Sequence, residues 1–325
     1  MGTPFSRDIL QIDAERVTER IIANIRSQAR KFKKQGAIVA LSGGIDSSVV
    51  GALCVRALGQ GHVFGLALPE KESSEETRRL SRLIIEHLGI ENETVEVTPI
   101  LEALGSYRCR DEAIRRLIPE YGPEWRCKIV LPSIMESDYR FFSVVVQHPA
   151  GETRKVRLTS SAYLEVLAAT NYKQRVRKML EYYHADRLNY LVAGTPNRLE
   201  YDQGFFVKQG DGAADIKPIA HLYKTQVYRL AEYLEIPEAV RSRPPTTDTY
   251  SLPQSQEEFF FSLPYDQMDL CLFGYLHGVG ASEVGNVIGV APALVIRVFR
   301  DIEAKRAAAA YLHMPPVLVD PAESH

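Results

Sequence analysis

The stretch Ile38-Val-Ala-Leu-Ser-Gly-Gly-Ile-Asp-Ser-Ser48 constrains the fold more than any other part of the chain. An apolar run stops at Ser42-Gly43-Gly44. An acid and two hydroxyls follow at once, and Val49–Leu58 then reads as a buried helix. Strand, glycine turn and helix together present backbone N–H groups to an anion. Glycine lets the backbone approach closely, and the helix N-terminus carries partial positive charge. The turn has no lysine, so it is not the common mononucleotide loop, and its glycines do not fit Gly-x-Gly-x-x-Gly. A plain structural turn is the alternative.

The surrounding pattern predicts an α/β chain. Residues 13–34 carry apolar positions at helical spacing and end in Arg30-Lys-Phe-Lys-Lys34, a basic run suited to a solvated helix C-terminus. His62–Leu68 reads as a second buried strand. Ser73-Ser-Glu-Glu76 reads as a capped helix start, and Thr94–Thr98 as a third strand. Alternation of this kind gives a doubly wound parallel sheet with helices on both faces, and ligands bind beyond the carboxyl ends of its strands. After Gly105 the alternation pauses. Phe141–Val146 and Arg154–Leu158, across Pro149-Ala-Gly151, read as an inserted β-hairpin subdomain at about 106–165. A helix over Ser161–His184, a fourth strand over Leu188–Gly194, a short fifth over Asp215–Pro218 and a helix over Lys224–Tyr233 follow. Residues 244–264, rich in Pro, Thr, Ser and Gln, read as a loop and a candidate lid. The C-terminal region is helical. Ala281–Gly289 and Pro292–Arg306 mimic a DNA-reading helix pair, but helical packing is the better account. The expected organisation is one domain over 1–305 with a tail over 306–325.

Composition excludes several classes. With 39 basic and 41 acidic residues the net charge is −2, which gives no footprint for nucleic acid. No 18-residue apolar run would span a bilayer, and the N-terminus lacks a secretion signal. Cys54, Cys109, Cys127 and Cys271 form no C-x-x-C pair. Reduced thiols and a cytoplasmic location are therefore expected.

A second cluster follows the fourth strand: Gly194-Thr-Pro-Asn-Arg-Leu-Glu200, then Gly204-Phe-Phe-Val-Lys-Gln-Gly-Asp-Gly-Ala-Ala-Asp215. Small residues, carboxylates and a lysine at a sheet edge suit a metal-bound triphosphate. Carboxylates hold Mg²⁺, and lysine supplies a point charge to phosphate or carboxylate. A glycine-rich turn with solvated charges is the alternative.

The Ser-Gly-Gly-x-Asp-Ser pattern resembles the pyrophosphate loop of the ATP pyrophosphatases. Together with Asn171–Arg177, Gly194–Glu200, Lys208–Asp215, Leu222–Gln226 and Pro245-Thr-Thr-Asp248, in that order, it resembles the NAD synthetase family. The likeness spans about residues 15–105 and 165–305. It implies ATP-dependent amide synthesis through an acyl-adenylate, with nicotinate adenine dinucleotide and ammonia as partners and Mg²⁺ beside ATP. Ser42, Gly43, Gly44, Asp46, Ser47, Ser48, Thr195, Lys224 and Thr246 would bind ATP. Asp46 and Glu200 would hold the metal. Asn171, Arg175, Lys208, Asp211 and Asp215 would bind the acid dinucleotide, with Asp46, Lys208 and Asp215 as catalytic candidates. The alternative for Arg175 and Arg177 is an exposed helix face. The resemblance also implies a homodimer.

Three departures hold other readings open. The connection from Gly105 to Asn171, with Cys127-Lys-Ile-Val-Leu-Pro-Ser133, is longer than the family's. Lys305, Arg306 and His313 match the family's basic tail only loosely. No glutaminase domain precedes the motifs, so ammonia is expected to be free or to come from a separate glutaminase. A related adenylating ligase for another carboxylate is the alternative, followed by a non-catalytic nucleotide-binding protein.

Overall fold

The computed structural model describes residues 4–131, 141–247, 249–261 and 263–319. Two expected features, the Pro132–Ser133 end of the cysteine motif and Asp248, lie outside them.

Helix α1 (Ala14–Lys31) is capped by the Asp13 side chain and leads to β1 (Ala37–Ala40). Helix α2 (Ile45–Leu58) starts directly after the glycine turn, so Asp46, Ser47 and Ser48 sit in its first turn rather than ahead of it. Then come β2 (Val63–Ala67), α3 (Glu75–Leu88, capped by Ser74), β3 (Glu91–Thr94) and α4 (Thr98–Ala103). The third strand thus lies three residues before its expected position. It is a wholly exposed edge strand, so burial imposes no alternation on it, while Val97 of the expected strand is buried and precedes α4.

Helix α5 (Ser106–Arg115) precedes the insertion, which is a three-stranded antiparallel sheet rather than a hairpin alone. Its strands are β4 (Arg126–Val130), β5 (Ser143–Gln147) and β6 (Thr153–Arg157), paired in that order. Helix α6 (Ser160–Leu188) consumes the start of the expected fourth strand. Asn189 ends the helix in the left-handed conformation, leaving β7 (Leu191–Val192). The expected fifth strand reduces to one bridge between Ala193 and Ile216. Helices α7 (Arg198–Gln203), α8 (Lys224–Tyr233), α9 (Glu238–Arg241), α10 (Tyr265–His277), α11 (Ala281–Ile288) and α12 (Pro292–His313) complete the chain. The expected boundary at 305 therefore falls inside α12.

The main sheet is parallel, in the order β3-β2-β1-β7. Its strands alternate between two buried cores. Ala37, Val39, Val63 and Leu191 face the cluster under α1, α2, α3 and α8. Ile38, Phe64, Leu66 and Val192 face the cluster that includes Leu101, Tyr107 and Val176 of α4, α5 and α6. The period of two is what a sheet covered on both faces requires. Val284, Ile288, Val295, Val298 and Ile302 bury the facing sides of α11 and α12 against α10, so this helix pair belongs to a packed core. No single described helix is long and apolar enough to cross a membrane.

Candidate active site at the carboxyl edge of the sheet

The glycine turn closes β1 onto α2 for local reasons. Gly43 has φ +75°, and a Cβ there would lie 2.7 Å from Leu80 Cβ and from the Ser81 amide nitrogen of α3. Only glycine fits both demands. The Ser48 hydroxyl donates to the Gly44 carbonyl at 2.8 Å and the Ser47 hydroxyl to the same oxygen at 3.0 Å. The Ser42 hydroxyl accepts from the Gly44 amide at 3.3 Å. These bonds hold the turn open at the head of the helix.

One charged cluster lies beside it. Lys224, at the first position of α8, is buried and pairs with Asp46 of α2. Asn197 donates to the other Asp46 oxygen at 3.2 Å. The Asn197 amide donates to Glu200 at 3.1 Å and the Asn197 side chain accepts from the Glu200 amide at 3.3 Å, a reciprocal cap of α7. Gln256 donates to the second Glu200 oxygen at 3.4 Å. Burial, then the nearby Asp46 charge, pushes the Glu200 carboxyl up to about 8. Burial works against the Lys224 charge, but Asp46 and Glu200 outweigh it and raise its pKa. Two facing carboxylates with this mutual penalty are a donor set that a divalent cation would relieve. Among the described residues no group of three or more such donors could hold a metal by itself. That suits Mg²⁺, which uses one or two carboxylates and takes its other oxygens from phosphates and water.

A second charged cluster lies further along α6. Lys178 donates to Glu181 at 2.7 Å, and both side chains are buried. Burial raises the Glu181 and Asp211 carboxyls, with Lys178 opposing. Asp211 accepts from the Val207 amide at 2.7 Å. Lys208 donates to the Tyr311 carbonyl at 3.0 Å, and Arg175 to the Lys208 carbonyl at 3.4 Å.

A cavity of about 1210 Å³ joins the two clusters. Of the expected residues it is lined by Ser42, Gly44, Asp46, Ser47, Thr195, Glu200, Lys224 and Thr246 at one end, and by Asn171, Arg175, Lys208 and Asp211 at the other. Gly43 and Ser48 do not line it; they shape the turn from behind. Asp215 also falls outside it. Its carboxylate accepts from the Val192 amide at 2.7 Å and so contacts the strand edge. Of the loosely matched tail residues, Lys305 pairs with Asp301 at 2.7 Å, Arg306 pairs with Asp202 at 3.1 Å, and His313 packs on Tyr201 beside that aspartate. Sequence reasoning missed Asn197, Gln256, Arg243, and the Lys178–Glu181 pair. Asn197 alone left a trace, since Asn-x-x-Glu is the pattern of a reciprocal helix cap. Among the described residues no cysteine lines the cavity, and burial pushes Cys54 and Cys271 up to about 12.

The glycine turn and the second charged cluster open into one cavity, an arrangement that suits a ligase joining a nucleotide to a second anionic molecule. The chain matches the NAD synthase family over residues 17–120 and 145–306, and it belongs to that family. It is 58% identical over 320 residues to the NH3-dependent NAD+ synthetase of Rhizobium meliloti (strain 1021), covering 98% of this chain and 96% of that one. It is 55% identical to the protein of the same name from Mesorhizobium japonicum, covering 95% and 98%. Among solved structures, the NH3-dependent NAD synthetase of Campylobacter jejuni aligns at TM-score 0.60 with 22% identity, covering 95% of this chain and 100% of that one. The NMN synthetase of Francisella tularensis aligns at 0.66 with 21% identity, covering 95% and 99%. These two share the fold.

Proposed function

We propose that the chain makes NAD from nicotinate adenine dinucleotide, ammonia and ATP, releasing AMP and pyrophosphate. The observation that carries this reading is the single cavity joining the Ser42–Ser47 turn to the Asn171–Arg175–Asp211 wall. A carboxylate is a poor acyl electrophile, because oxide would have to leave. Its oxygen attacks the α-phosphorus of ATP, the bond to the bridging oxygen breaks, and pyrophosphate departs. Ammonia then adds to the acyl-adenylate, AMP leaves, and one proton is lost. The turn's N–H groups and Lys224 stabilise charge on the leaving pyrophosphate. Mg²⁺, held by Asp46 and Glu200, would supply further neutralisation of that charge. Arg175 and Lys208 place positive charge where an acidic dinucleotide would lie, and Asp211 offers an acceptor to the incoming ammonia.

The test is pyrophosphate release from ATP with nicotinate adenine dinucleotide and ammonium. Release that requires the dinucleotide and yields NAD supports the reading. Turnover only with another carboxylate would sink it. Replacing ammonium by glutamine should stop the reaction unless a separate glutaminase is added.

The chain is also proposed to act as a homodimer. Leu164, Tyr172, Met179 and Tyr183 are exposed on α6. At 100° per residue they fall within an arc of about 100° that also carries Glu165 and Arg175, a partly apolar face that a second copy would cover.

A further inference from the structure

The insertion does more than lengthen the chain. Strand β4 is an edge of the inserted sheet, and its free side is bonded to the segment that follows the nucleotide loop. The Cys127 amide donates to the Ser251 hydroxyl at 2.8 Å, and the Leu252 amide to the Cys127 carbonyl at 3.1 Å. Arg126 donates to the Ser251 carbonyl at 2.8 Å, and Lys128 to the Pro253 carbonyl at 3.2 Å. The side-chain amide of Gln254, itself buried, donates to the Ile129 carbonyl. Tyr250 and Phe259 pack into the insert's own core with Cys127, Ile129 and Val144.

The bonds continue inward. The Gln254 carbonyl accepts from the Thr247 amide at 3.1 Å, and Ser255 bridges Thr246. Thr246 and Thr247 both line the nucleotide end of the cavity. Among the described residues the Thr247 hydroxyl has no hydrogen-bond partner and is shut off from solvent, a cost the loop bears in this conformation. The loop's other side is tied down as well: Arg243 donates to Thr77 of α3 at 2.7 Å and to Thr246 at 3.3 Å.

We propose that Gln254 and Ser251 are positioning residues, strapped to β4 of the insert, that hold Thr246 and Thr247 over the nucleotide before any ligand binds. The proposal rests on the reading that this end of the cavity takes ATP. A loop of this composition, left free, would have to be ordered by the incoming nucleotide, and that cost would weaken binding. The insert meets the cost at folding instead. Neither residue touches the reacting atoms, so their effect falls on the KM for ATP rather than on kcat.

The experiment uses the full chain with Gln254→Met, which keeps length but removes the donor, and with Ser251→Thr, which keeps the hydroxyl. Gln254→Met should raise the KM for ATP about tenfold, the equivalent of one lost neutral hydrogen bond, with kcat within about twofold of the parent. Amide hydrogen exchange in the ligand-free protein should speed up across 246–255 and slow again with ATP. Ser251→Thr should behave as the parent. Unchanged exchange in Gln254→Met overturns the strap, as does a fall in kcat and Tm together with an unchanged KM. A Thr246→Ala control separates two ways of failing. If it raises the KM while Gln254→Met does not, the strap is overturned and the nucleotide site stands. If neither changes the KM, the nucleotide assignment falls and the strap's role with it.

Discussion

At the scale of single residues, the Asp46–Lys224–Glu200 cluster carries the sharpest consequences. Lys224 is the cation paired to Asp46 among the described residues, and Glu200 stands close enough to feel both. Lys224→Met would leave two carboxylates facing each other without compensation. Removing one partner of a buried pair costs about 3–5 kcal/mol, so the variant should lose several degrees of Tm as well as pyrophosphate release. Added Mg²⁺-ATP should recover part of the Tm and none of the turnover. A second buried network tests the opposite sign of charge. Glu70 is fully buried, accepts from Lys173 at 2.7 Å and from the Tyr107 hydroxyl at 2.6 Å. Burial alone would raise its carboxyl, but Lys173 and these bonds hold it below the ordinary glutamate value. A carboxyl lowered in the folded state gives stability that is present above the unfolded pKa and lost as pH falls through the folded one. Urea unfolding should therefore show the parent losing stability as pH drops below about 4.5, the ordinary glutamate value. Glu70→Gln should be less stable at pH 7 and show a flatter acid limb.

At the scale of elements, the junction of β1, α2 and α3 decides whether the turn forms. Gly43→Ala meets both a left-handed backbone and the Leu80–Ser81 backbone at 2.7 Å. A cost of about 1–3 kcal/mol is expected, because the neighbour is main chain and cannot swing aside. Chemical denaturation measures it, and the KM for ATP should rise in the same variant. A loss no larger than that of an ordinary surface substitution would show that the turn tolerates a Cβ. Helix α8 is placed by Asp269 of α10, whose carboxylate accepts from the Lys224 amide at 3.2 Å and the Thr225 amide at 2.7 Å. Asp269→Ala removes that cap and should cost about 1–2 kcal/mol while displacing Lys224 from Asp46. Much of this level was readable in advance. The glycine turn, the Ser73–Glu76 helix start and the α6 register all follow from local patterns that burial enforces. The edge strand β3 was not, since a wholly exposed strand carries no alternation. Strand β4 was not either, because its meaning depends on a partner 13 to 21 residues onward, from the Val130–Ser143 pairing at its near end to Arg126–Gln147 at its far end.

At the scale of the whole molecule, α6 is shared between the cavity and the proposed dimer face. It carries Asn171 and Arg175 into the cavity and a partly apolar face toward solvent. Met179→Glu with Tyr183→Glu should shift the chain to monomer in analytical ultracentrifugation and lower activity with the dinucleotide. A double variant that sediments as the parent would dissociate that face from assembly.

The sequence by itself determined the glycine turn that is proposed to grip ATP. Ser42-Gly-Gly-Ile-Asp-Ser47 is a contiguous motif, and a contiguous motif between a strand and a helix has little choice of geometry. It also indicated the sheet, since β1 and β2 are unbroken apolar runs, as strands buried on both faces must be. Tertiary structure alone decided which residues stand together across long separations. It brought Asn197 and Lys224 onto Asp46, set Asp215 against the Val192 amide, paired Lys305 with Asp301 and Arg306 with Asp202, and tied β4 to Ser251 and Gln254. The reason is physical. Backbone motifs are fixed by neighbours in the chain, whereas charged partners and strand edges are chosen by packing, which joins segments more than a hundred residues apart.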